Sequence, residues 1–257
     1  MKLEGFSGHA AFVTGAAGGI GLAVVRMLSE AGARVFATDI PAALERLPQQ
    51  DGSTVHWHPL DVSDPDAVAG CIGLAEESVG PLALAVHAAG VLSTTPALDL
   101  TPDEWDRVMG VNAGGSFNIL QALGRVMVPQ GRGAIVVIGS NAAGIPRQHM
   151  AAYAASKAAV AMLTRCVGLE LAAHGIRCNI LAPGSTLTPM QTGMWADDNG
   201  AERVIAGDPA GFRTGIPLGK LATPEDIAAA AMFLLSDQAG QITMADLYVD
   251  GGATLRA

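Results

Sequence analysis

Charged and aromatic residues are scarce in this 257-residue chain: Asp, Glu, Lys and Arg make up 15% of it and Phe, Trp and Tyr 4%. Hydrophobic residues reach 50%, so the chain can bury a large core. It offers few rings on which nucleic-acid bases could stack. Basic residues number 15 against 24 acidic ones, giving a formal net charge of −9. This balance argues against a nucleic acid or an anionic membrane surface as partner.

Cysteines are equally few. The three present, Cys71, Cys166 and Cys178, lack the spacing of a metal site. An odd number of cysteines is typical of a reducing compartment. The first residues do not have the layout of a signal peptide, and no apolar run approaches the ~18 residues of a membrane span. These absences predict a cytoplasmic protein that does not enter a membrane.

Short apolar segments alternate with helical patterns along the chain. Strands are expected at 9–14, 33–39, 55–61, 82–90, 133–140, 176–184 and 246–252. Strand, helix, strand units of this kind require right-handed crossovers and a parallel sheet. The alternation predicts an α/β fold, a single doubly wound Rossmann-type domain over residues 1–257.

Helix starts and the last third of the chain complete this organisation. Thr101-Pro102 and Thr223-Pro224 are typical of a cap followed by the first helical residue. Long helices are expected over 102–128 and 150–173. Residues 185–222, rich in Gly, Pro, Met and Asp, are predicted to form an irregular substrate lid.

A glycine-rich turn, Thr14 to Gly21 with the spacing T-G-x-x-x-G-x-G, follows the first expected strand. Glycines there let the backbone approach a pyrophosphate at a helix N-terminus. Asp39 ends the second strand 18 residues after Gly21, near the ~20 expected of a ribose-binding carboxylate. That carboxylate would repel a 2′-phosphate, and the first basic residue after it is Arg46. The pattern predicts NAD rather than NADP; a plain glycine turn and a strand-end cap are the alternatives.

Ser140, Tyr153 and Lys157 lie in the single segment 139–157. Residues four apart share a helix face, so Lys157 is expected beside the Tyr153 phenol. A nearby positive charge lowers a tyrosine's pKa from about 10. Such a phenol can exchange a proton with an alcohol or a carbonyl, while a serine hydroxyl holds the reacting oxygen. Because Y-x-x-x-K pairs also occur by chance on solvated helix faces, the other motifs must decide.

With these motifs assembled, the chain resembles the short-chain dehydrogenase/reductase family over essentially its whole length. The resemblance implies a catalytic tetrad of Asn112, Ser140, Tyr153 and Lys157. In it Tyr153 is the acid/base, Lys157 also binds the nicotinamide ribose, and Asn112 anchors a water that relays protons.

The same resemblance implies the residues of an NAD site. They are Gly15, Gly19, Ile20, Gly21, Asp39, Asp61, Val62, Ala89, Gly90, Tyr153, Lys157, Pro183, Gly184 and Thr188. His87 stands where the family usually has an asparagine that braces the sheet, so the chain departs from the family pattern at that turn. Family members pair the helices at 102–128 and 150–173 across subunits, which implies a homotetramer.

Within the family, segments such as PGSTLTPMQTGMW are similar to a subgroup, the 2,3-dihydro-2,3-dihydroxybenzoate dehydrogenases of catecholate siderophore synthesis. The similarity implies oxidation of a ring hydroxyl by NAD to give 2,3-dihydroxybenzoate. Such a substrate needs a partner for its carboxylate, and Arg147 offers bidentate geometry. A solvated loop arginine is the alternative. The expected substrate residues are Arg147, Met190, Gln191, Met194 and Trp195, with Arg203 and Arg213 as weaker carboxylate partners.

Other interpretations remain. His56-x-His58 has a spacing that can hold a metal, but no further ligand cluster accompanies it, and no metal is expected. His149 is either solvated or in contact with substrate. A 2,3-dihydro-3-hydroxyanthranilate dehydrogenase would use the same chemistry. A ketoreductase of acyl-carrier thioesters is disfavoured by Asp39, and a non-catalytic NAD-binding sensor is disfavoured by the complete tetrad.

Overall fold

A computed structural model of the chain describes residues 2–47 and 55–255. Within these residues, seven parallel strands form one sheet in the spatial order β3-β2-β1-β4-β5-β6-β7. The strands are β1 Ala10–Thr14, β2 Arg34–Asp39, β3 Val55–Pro59, β4 Leu82–His87, β5 Gly133–Ile138, β6 Ile176–Pro183 and β7 Asp246–Val249. The predicted α/β fold with a doubly wound parallel sheet is confirmed.

Helices connect the strands and cover both faces of the sheet. They are α1 Gly19–Glu30, α2 Pro41–Leu44, α3 Pro65–Val79, α4 Pro102–Met109, α5 Gly115–Met127, α6 Ala151–Ala172, α7 Pro189–Thr192, α8 Gly200–Ala206 and α9 Pro224–Leu235. The two predicted cap-and-proline starts are confirmed, because the Thr101 hydroxyl accepts the Glu104 amide at 3.2 Å and that of Thr223 accepts the Asp226 amide at 3.1 Å. In the described part of the chain, no helix is long and apolar enough to cross a membrane.

Two regions differ from the expected pattern. The helix expected over 102–128 is interrupted after Met109 by a π-helical turn, Gly110–Gly114. Glycines, which lack a Cβ, tolerate this wider turn, and such turns are frequent at functional sites. The lid at 185–222 is not irregular throughout, because it contains α7 and α8. Thr188-Pro189 is a third cap-and-proline pair, in which the Thr188 hydroxyl accepts the Gln191 amide at 3.3 Å.

The core lies in two layers, one on each face of the sheet. One cluster of buried side chains joins α1 and α9 to the strands, and the other joins α3, α5 and α6. At the carboxyl ends of β1 and β4, Thr14 pairs with His87 in the register of the two strands. The direction in which successive strands are added to the sheet reverses between β1 and β4. Open α/β sheets bind ligands in the crevice at such a switch point.

Candidate active site

The turn between β1 and α1 brings backbone against backbone. Gly15 has a φ of 64°, and a Cβ there would lie 2.5 Å from the Ala89 amide nitrogen. A Cβ on Gly21 would lie 2.0 Å from the Gly15 carbonyl oxygen. Gly18 is the N-cap of α1, and no side chain at this position accepts a hydrogen bond from the amides of the first helical turn. Since amides at a helix N-terminus attract anions, this turn fits the pyrophosphate of a dinucleotide.

A cavity of about 650 Å³, the cofactor cavity, opens in front of the turn. Its lining contains ten of the predicted cofactor residues, namely Gly15, Gly19, Ile20, Gly21, Asp39, Asp61, Val62, Ala89, Gly90 and Thr188. The Asp39 carboxylate accepts the amides of Ala17 at 3.0 Å and Ile40 at 2.8 Å, which hold it at the end of β2. Arg46 and Arg107 also line this cavity, so its rim carries both signs of charge.

A second cavity of about 150 Å³, the substrate cavity, adjoins the first. Gly90 and Thr188 line both cavities. Ser140, Tyr153 and Lys157 line the substrate cavity, as do the predicted cofactor residues Pro183 and Gly184. The nicotinamide end of a dinucleotide bound along the glycine turn would therefore meet the tyrosine.

Within the substrate cavity, the Ser140 side chain is hydrogen-bonded to Tyr153. The Lys157 ammonium donates to the Ile138 carbonyl at 2.9 Å and lies 5.9 Å from the centroid of the Tyr153 ring. The three side chains predicted from the sequence thus line one cavity, with Tyr153 and Lys157 one helical turn apart on α6.

The pKa of Tyr153 differs from the expectation. Burial raises this pKa above its ordinary value of 10.0, and the Ser140 hydrogen bond and the charge of Arg147 oppose that rise only in part. Burial also lowers the pKa of Lys157 to about 8. In this structure Arg147 is the cation that opposes the rise, and the lowering of the tyrosine's pKa by Lys157 stays a prediction.

Asn112 lies on the π-helical turn, behind the substrate cavity. Its Nδ2 donates to the Val91 carbonyl at 2.9 Å and to the Ser156 hydroxyl at 2.8 Å, and its Oδ1 accepts the Val91 amide at 2.8 Å. Both side-chain donor hydrogens are therefore used within the protein. The Asn112 carbonyl accepts the Ser116 hydroxyl at 2.6 Å and the Gly115 amide, so both of its lone pairs are used within the protein.

His87 replaces the usual asparagine without leaving a gap in the hydrogen bonding. Its Nδ1 lies 2.7 Å from the Thr14 hydroxyl and its Nε2 lies 3.0 Å from the Ser116 hydroxyl. Because Ser116 gives its hydrogen to the Asn112 carbonyl, it accepts from His87, so the proton is on Nε2. Burial, with the charge of Lys157, lowers the pKa of His87 to about 3, and the ring is neutral. The imidazole thus braces β1 against α5.

The predicted substrate residues fall into two groups. Arg147, Met190, Gln191 and Met194 line the substrate cavity, together with the weaker candidate Arg213. The structure places Trp195 and Arg203 in a neighbouring lid cavity instead. The Trp195 ring packs so closely on Gly200 that a Cβ there would lie 2.1 Å from Cγ of the indole.

Arg203 is paired with Asp197 at 2.8 Å. Trp195 lies in the lid cavity rather than the substrate cavity. Its position therefore does not support the expectation that it forms a wall against the substrate.

Two residues near the site were missed by the sequence analysis. Asn141, directly after Ser140, lines the substrate cavity, and its side chain is bonded to both Arg147 and Asp250. Asp250 was assigned only to the last strand region. A polar residue next to the catalytic serine, and an acid followed by two glycines, were the available signals.

The arrangement can do one kind of chemistry well. A dinucleotide-sized cavity leads to a phenol, a serine hydroxyl and an ammonium that line one adjoining cavity, which suits proton exchange with an alcohol or carbonyl during hydride transfer. Among residues 2–47 and 55–255, no group of three or more His, Cys, Asp or Glu side chains is placed to hold a metal ion. Fold and site together define a nicotinamide-dependent oxidoreductase.

Comparison with known proteins gives the family. The family profile described as enoyl-(acyl carrier protein) reductase matches residues 15–254. The chain is 49% identical over 259 residues to 2,3-dihydro-2,3-dihydroxybenzoate dehydrogenase of Bacillus subtilis (strain 168), covering 99% of each chain. It is 44% identical to the vibriobactin-specific 2,3-dihydro-2,3-dihydroxybenzoate dehydrogenase of Vibrio cholerae serotype O1 (strain ATCC 39315 / El Tor Inaba N16961), covering 95% of each.

A solved short-chain type dehydrogenase/reductase from Mycobacterium ulcerans superposes with a TM-score of 0.87 at 30% identity, covering 98% of this chain and 92% of that one. The chain belongs to the short-chain dehydrogenase/reductase family, as its motifs predicted.

Proposed function

We propose that this enzyme oxidises a ring hydroxyl of 2,3-dihydro-2,3-dihydroxybenzoate with NAD, giving 2,3-dihydroxybenzoate for catecholate siderophore synthesis. Two relatives named for this activity align with 99% and 95% of the chain. The observation that carries the proposal is the position of Arg147. Its guanidinium lines the same cavity as Tyr153 and is close enough to lower that tyrosine's pKa, so a carboxylate on Arg147 leaves a ring hydroxyl near the phenol.

The residues divide the work as follows. Ser140 holds the reacting oxygen, and Tyr153 takes the hydroxyl proton. NAD held in the cofactor cavity would supply the acceptor for the hydride that leaves the carbinol carbon. The ketone so formed tautomerises to an aromatic catechol, which makes the oxidation favourable. Met190, Met194 and Gln191 contact the ring from the lid, and Asn112 holds the backbone at Val91 in place beside the site.

NAD is favoured over NADP by Asp39. Its carboxylate stands at the end of β2 on the cofactor cavity, where it accepts from ribose hydroxyls and repels a 2′-phosphate. Arg46 and Arg107 lie on the same cavity, which makes a direct comparison of kcat/KM with the two cofactors the required measurement. A preference for NADP would contradict this assignment.

A homotetramer is the proposed assembly. Large apolar side chains on α4, α5 and α6 are exposed in the single chain, among them Trp105 at 39%, Phe117 at 48%, Met162 at 57% and Leu169 at 67%. Pairing of these helices between subunits would cover them. Light scattering should give the mass of four chains, and the mass of one chain would refute the proposal.

The activity is tested by incubating the enzyme with NAD and a panel of dihydro-hydroxybenzoates and dihydro-hydroxyanthranilates, followed by NADH absorbance. The dihydrodiol carboxylate should give the highest kcat/KM, and Tyr153→Phe should abolish turnover. Preference for the amino-substituted ring would replace the proposed substrate, and unchanged function in Tyr153→Phe would support a non-catalytic role. Arg147→Leu should raise KM, whereas Arg203→Leu, paired with Asp197 outside the substrate cavity, should not.

A further inference from the structure

Asn141 lies between a buried carboxylate and the guanidinium of Arg147. Its Nδ2 donates to Oδ2 of Asp250 at 3.3 Å, and its Oδ1 accepts from Nη2 of Arg147, also at 3.3 Å. The residue is 4% exposed and Asp250 is 8% exposed. An amide carries a donor and an acceptor, so it can join an anion at one end to a cation at the other.

Asp250 is anchored without any help from Arg147. Its carboxylate accepts the Gly252 amide at 3.0 Å, the Thr254 amide at 2.9 Å and the Thr254 hydroxyl. Burial alone would raise the pKa of this carboxyl, but the hydrogen bonds from Thr254, Asn141 and Gly252 outweigh burial and hold the pKa below its ordinary value. Asp250 is therefore a fixed negative charge.

Arg147 keeps its positive charge available. Among the described residues, the ion pairs involve neither Arg147 nor Arg213, although both side chains line the substrate cavity. Burial and the charge of Arg213 lower the pKa of Arg147, and the charge of Asp250 opposes them. An anion that enters the cavity relieves the repulsion between the two guanidiniums.

The local backbone explains how Asn141 reaches this position. Ser140 is extended, with φ −166° and ψ 151°, and Asn141 begins a 3₁₀ turn, Asn141–Ala143. Ser140 bonds to Tyr153, while Asn141 bonds to Asp250 and Arg147.

We propose that Asn141 is a positioning residue that sets specificity for a carboxylate substrate. Its amide orients Arg147 from the fixed Asp250 and keeps that carboxylate from pairing with the guanidinium. A direct pair would occupy the bidentate face that the substrate needs. The inference rests on the proposed function, because it assigns Arg147 to the substrate carboxylate.

The test compares two probes that share a ring and differ in charge, benzoate and benzamide. Their dissociation constants are measured by calorimetry on the full chain saturated with NADH. The wild-type enzyme should prefer benzoate. Asn141→Asp puts a carboxylate directly on Arg147, so benzoate affinity should fall at least about tenfold, the effect of one lost charged hydrogen bond. Benzamide affinity should not change. A merely structural role would weaken both probes together.

An exchange variant, Asn141→Asp with Asp250→Asn, is the matched control. It keeps the same net charge and restores a donor–acceptor chain, but the carboxylate now touches Arg147. Benzoate should remain weak, and recovery of wild-type affinity would overturn the inference. This variant also carries the test if the single variant does not fold.

The two proposals fail in different ways. A wild-type enzyme that does not prefer benzoate to benzamide contradicts the assignment of Arg147 to a carboxylate. A wild-type preference that survives unchanged in Asn141→Asp contradicts only the role of Asn141.

Discussion

The cofactor cavity is shaped by backbone, whereas the substrate cavity is shaped by side chains carried on loops. In the first, Gly15 and Gly21 leave no space for a Cβ, and Asp39 is held by two backbone amides. In the second, side chains from the loop after β5 and from the lid, such as Arg147 and Met194, join Tyr153 and Lys157 of α6.

The exposure of the two regions differs in the same way. Gly21 is buried, while Met190 is 47% and Met194 37% exposed on the lid. The difference teaches that the cofactor cavity binds a constant ligand mainly through backbone groups, which every residue possesses. In the substrate cavity, replacement of a few side chains can change the substrate that binds while the fold stays the same.

The largest expected effect comes from a substitution that disrupts the close backbone contacts of the cofactor cavity. Gly21→Ala should destabilise the protein by about 3 kcal/mol, because the new methyl group overlaps the Gly15 carbonyl and overpacking costs this much. NADH binding should be lost with it. Gly70→Ala is the matched control: it lies in α3 with nothing within 4 Å of its Cβ position.

That control should be neutral or stabilise the protein by about 0.5–1 kcal/mol, as alanine does in a helix interior. Urea unfolding and NADH titration of both variants check the pair. A Gly21→Ala protein that unfolds at the wild-type urea concentration and binds NADH normally would show that backbone contact does not shape the cofactor cavity.

The same contrast explains what could be predicted from the sequence. The fold followed from the alternation of strands and helices, and the cofactor turn from glycine spacing, because these are local patterns with steric causes. Tyr153 and Lys157 followed from helical periodicity. The π-helical turn at Gly110–Gly114 could not be predicted, because the choice between α and π geometry depends on the contacts of Asn112 with Val91 and Ser156.

Long-range contacts account for the other errors. Asp250 contacts Asn141, which is 109 positions away in the sequence, and no local sequence pattern predicts such a contact. The effect of burial on the pKa of Tyr153 could not be predicted for a related reason, since burial depends on the whole fold while the sequence shows only the neighbour at four residues.

A medium effect concerns the buried His87, which joins Thr14 on β1 to Ser116 on α5. Its pKa is 6.5 in an unfolded chain and about 3 in the folded protein. As the pH falls below 6.5, the unfolded chain binds a proton that the folded protein excludes, so the folded state loses stability. At about pH 5 the loss from this residue should be about 2 kcal/mol.

His87→Asn removes that titration and should flatten the decline of the free energy of unfolding between about pH 7 and pH 5. Urea unfolding of both proteins across this range is the measurement, and their difference near pH 8 supplies the baseline. Parallel declines in the two proteins would mean that His87 is protonated in the folded state.

The smallest expected effect concerns the lid. It distinguishes lid side chains that line the substrate cavity from those that lie outside it. The Trp195 ring packs on Gly200, and its buried Nε1 has no hydrogen-bond partner in the described structure. Trp195→Phe therefore removes no hydrogen bond, and stability should change by less than about 1 kcal/mol. Because Trp195 lies outside the substrate cavity, KM for the dihydrodiol should change less than about twofold, within the range of a neutral substitution.

Met194→Ala is the comparison, since Met194 lines both the substrate cavity and the lid cavity. It should raise KM several-fold through lost apolar contact. A large rise in KM for Trp195→Phe, with little effect of Met194→Ala, would mean that the lid turns its outer surface toward the bound ring. The substrate cavity would then be formed only when the lid closes, and side chains now outside it would belong to the site.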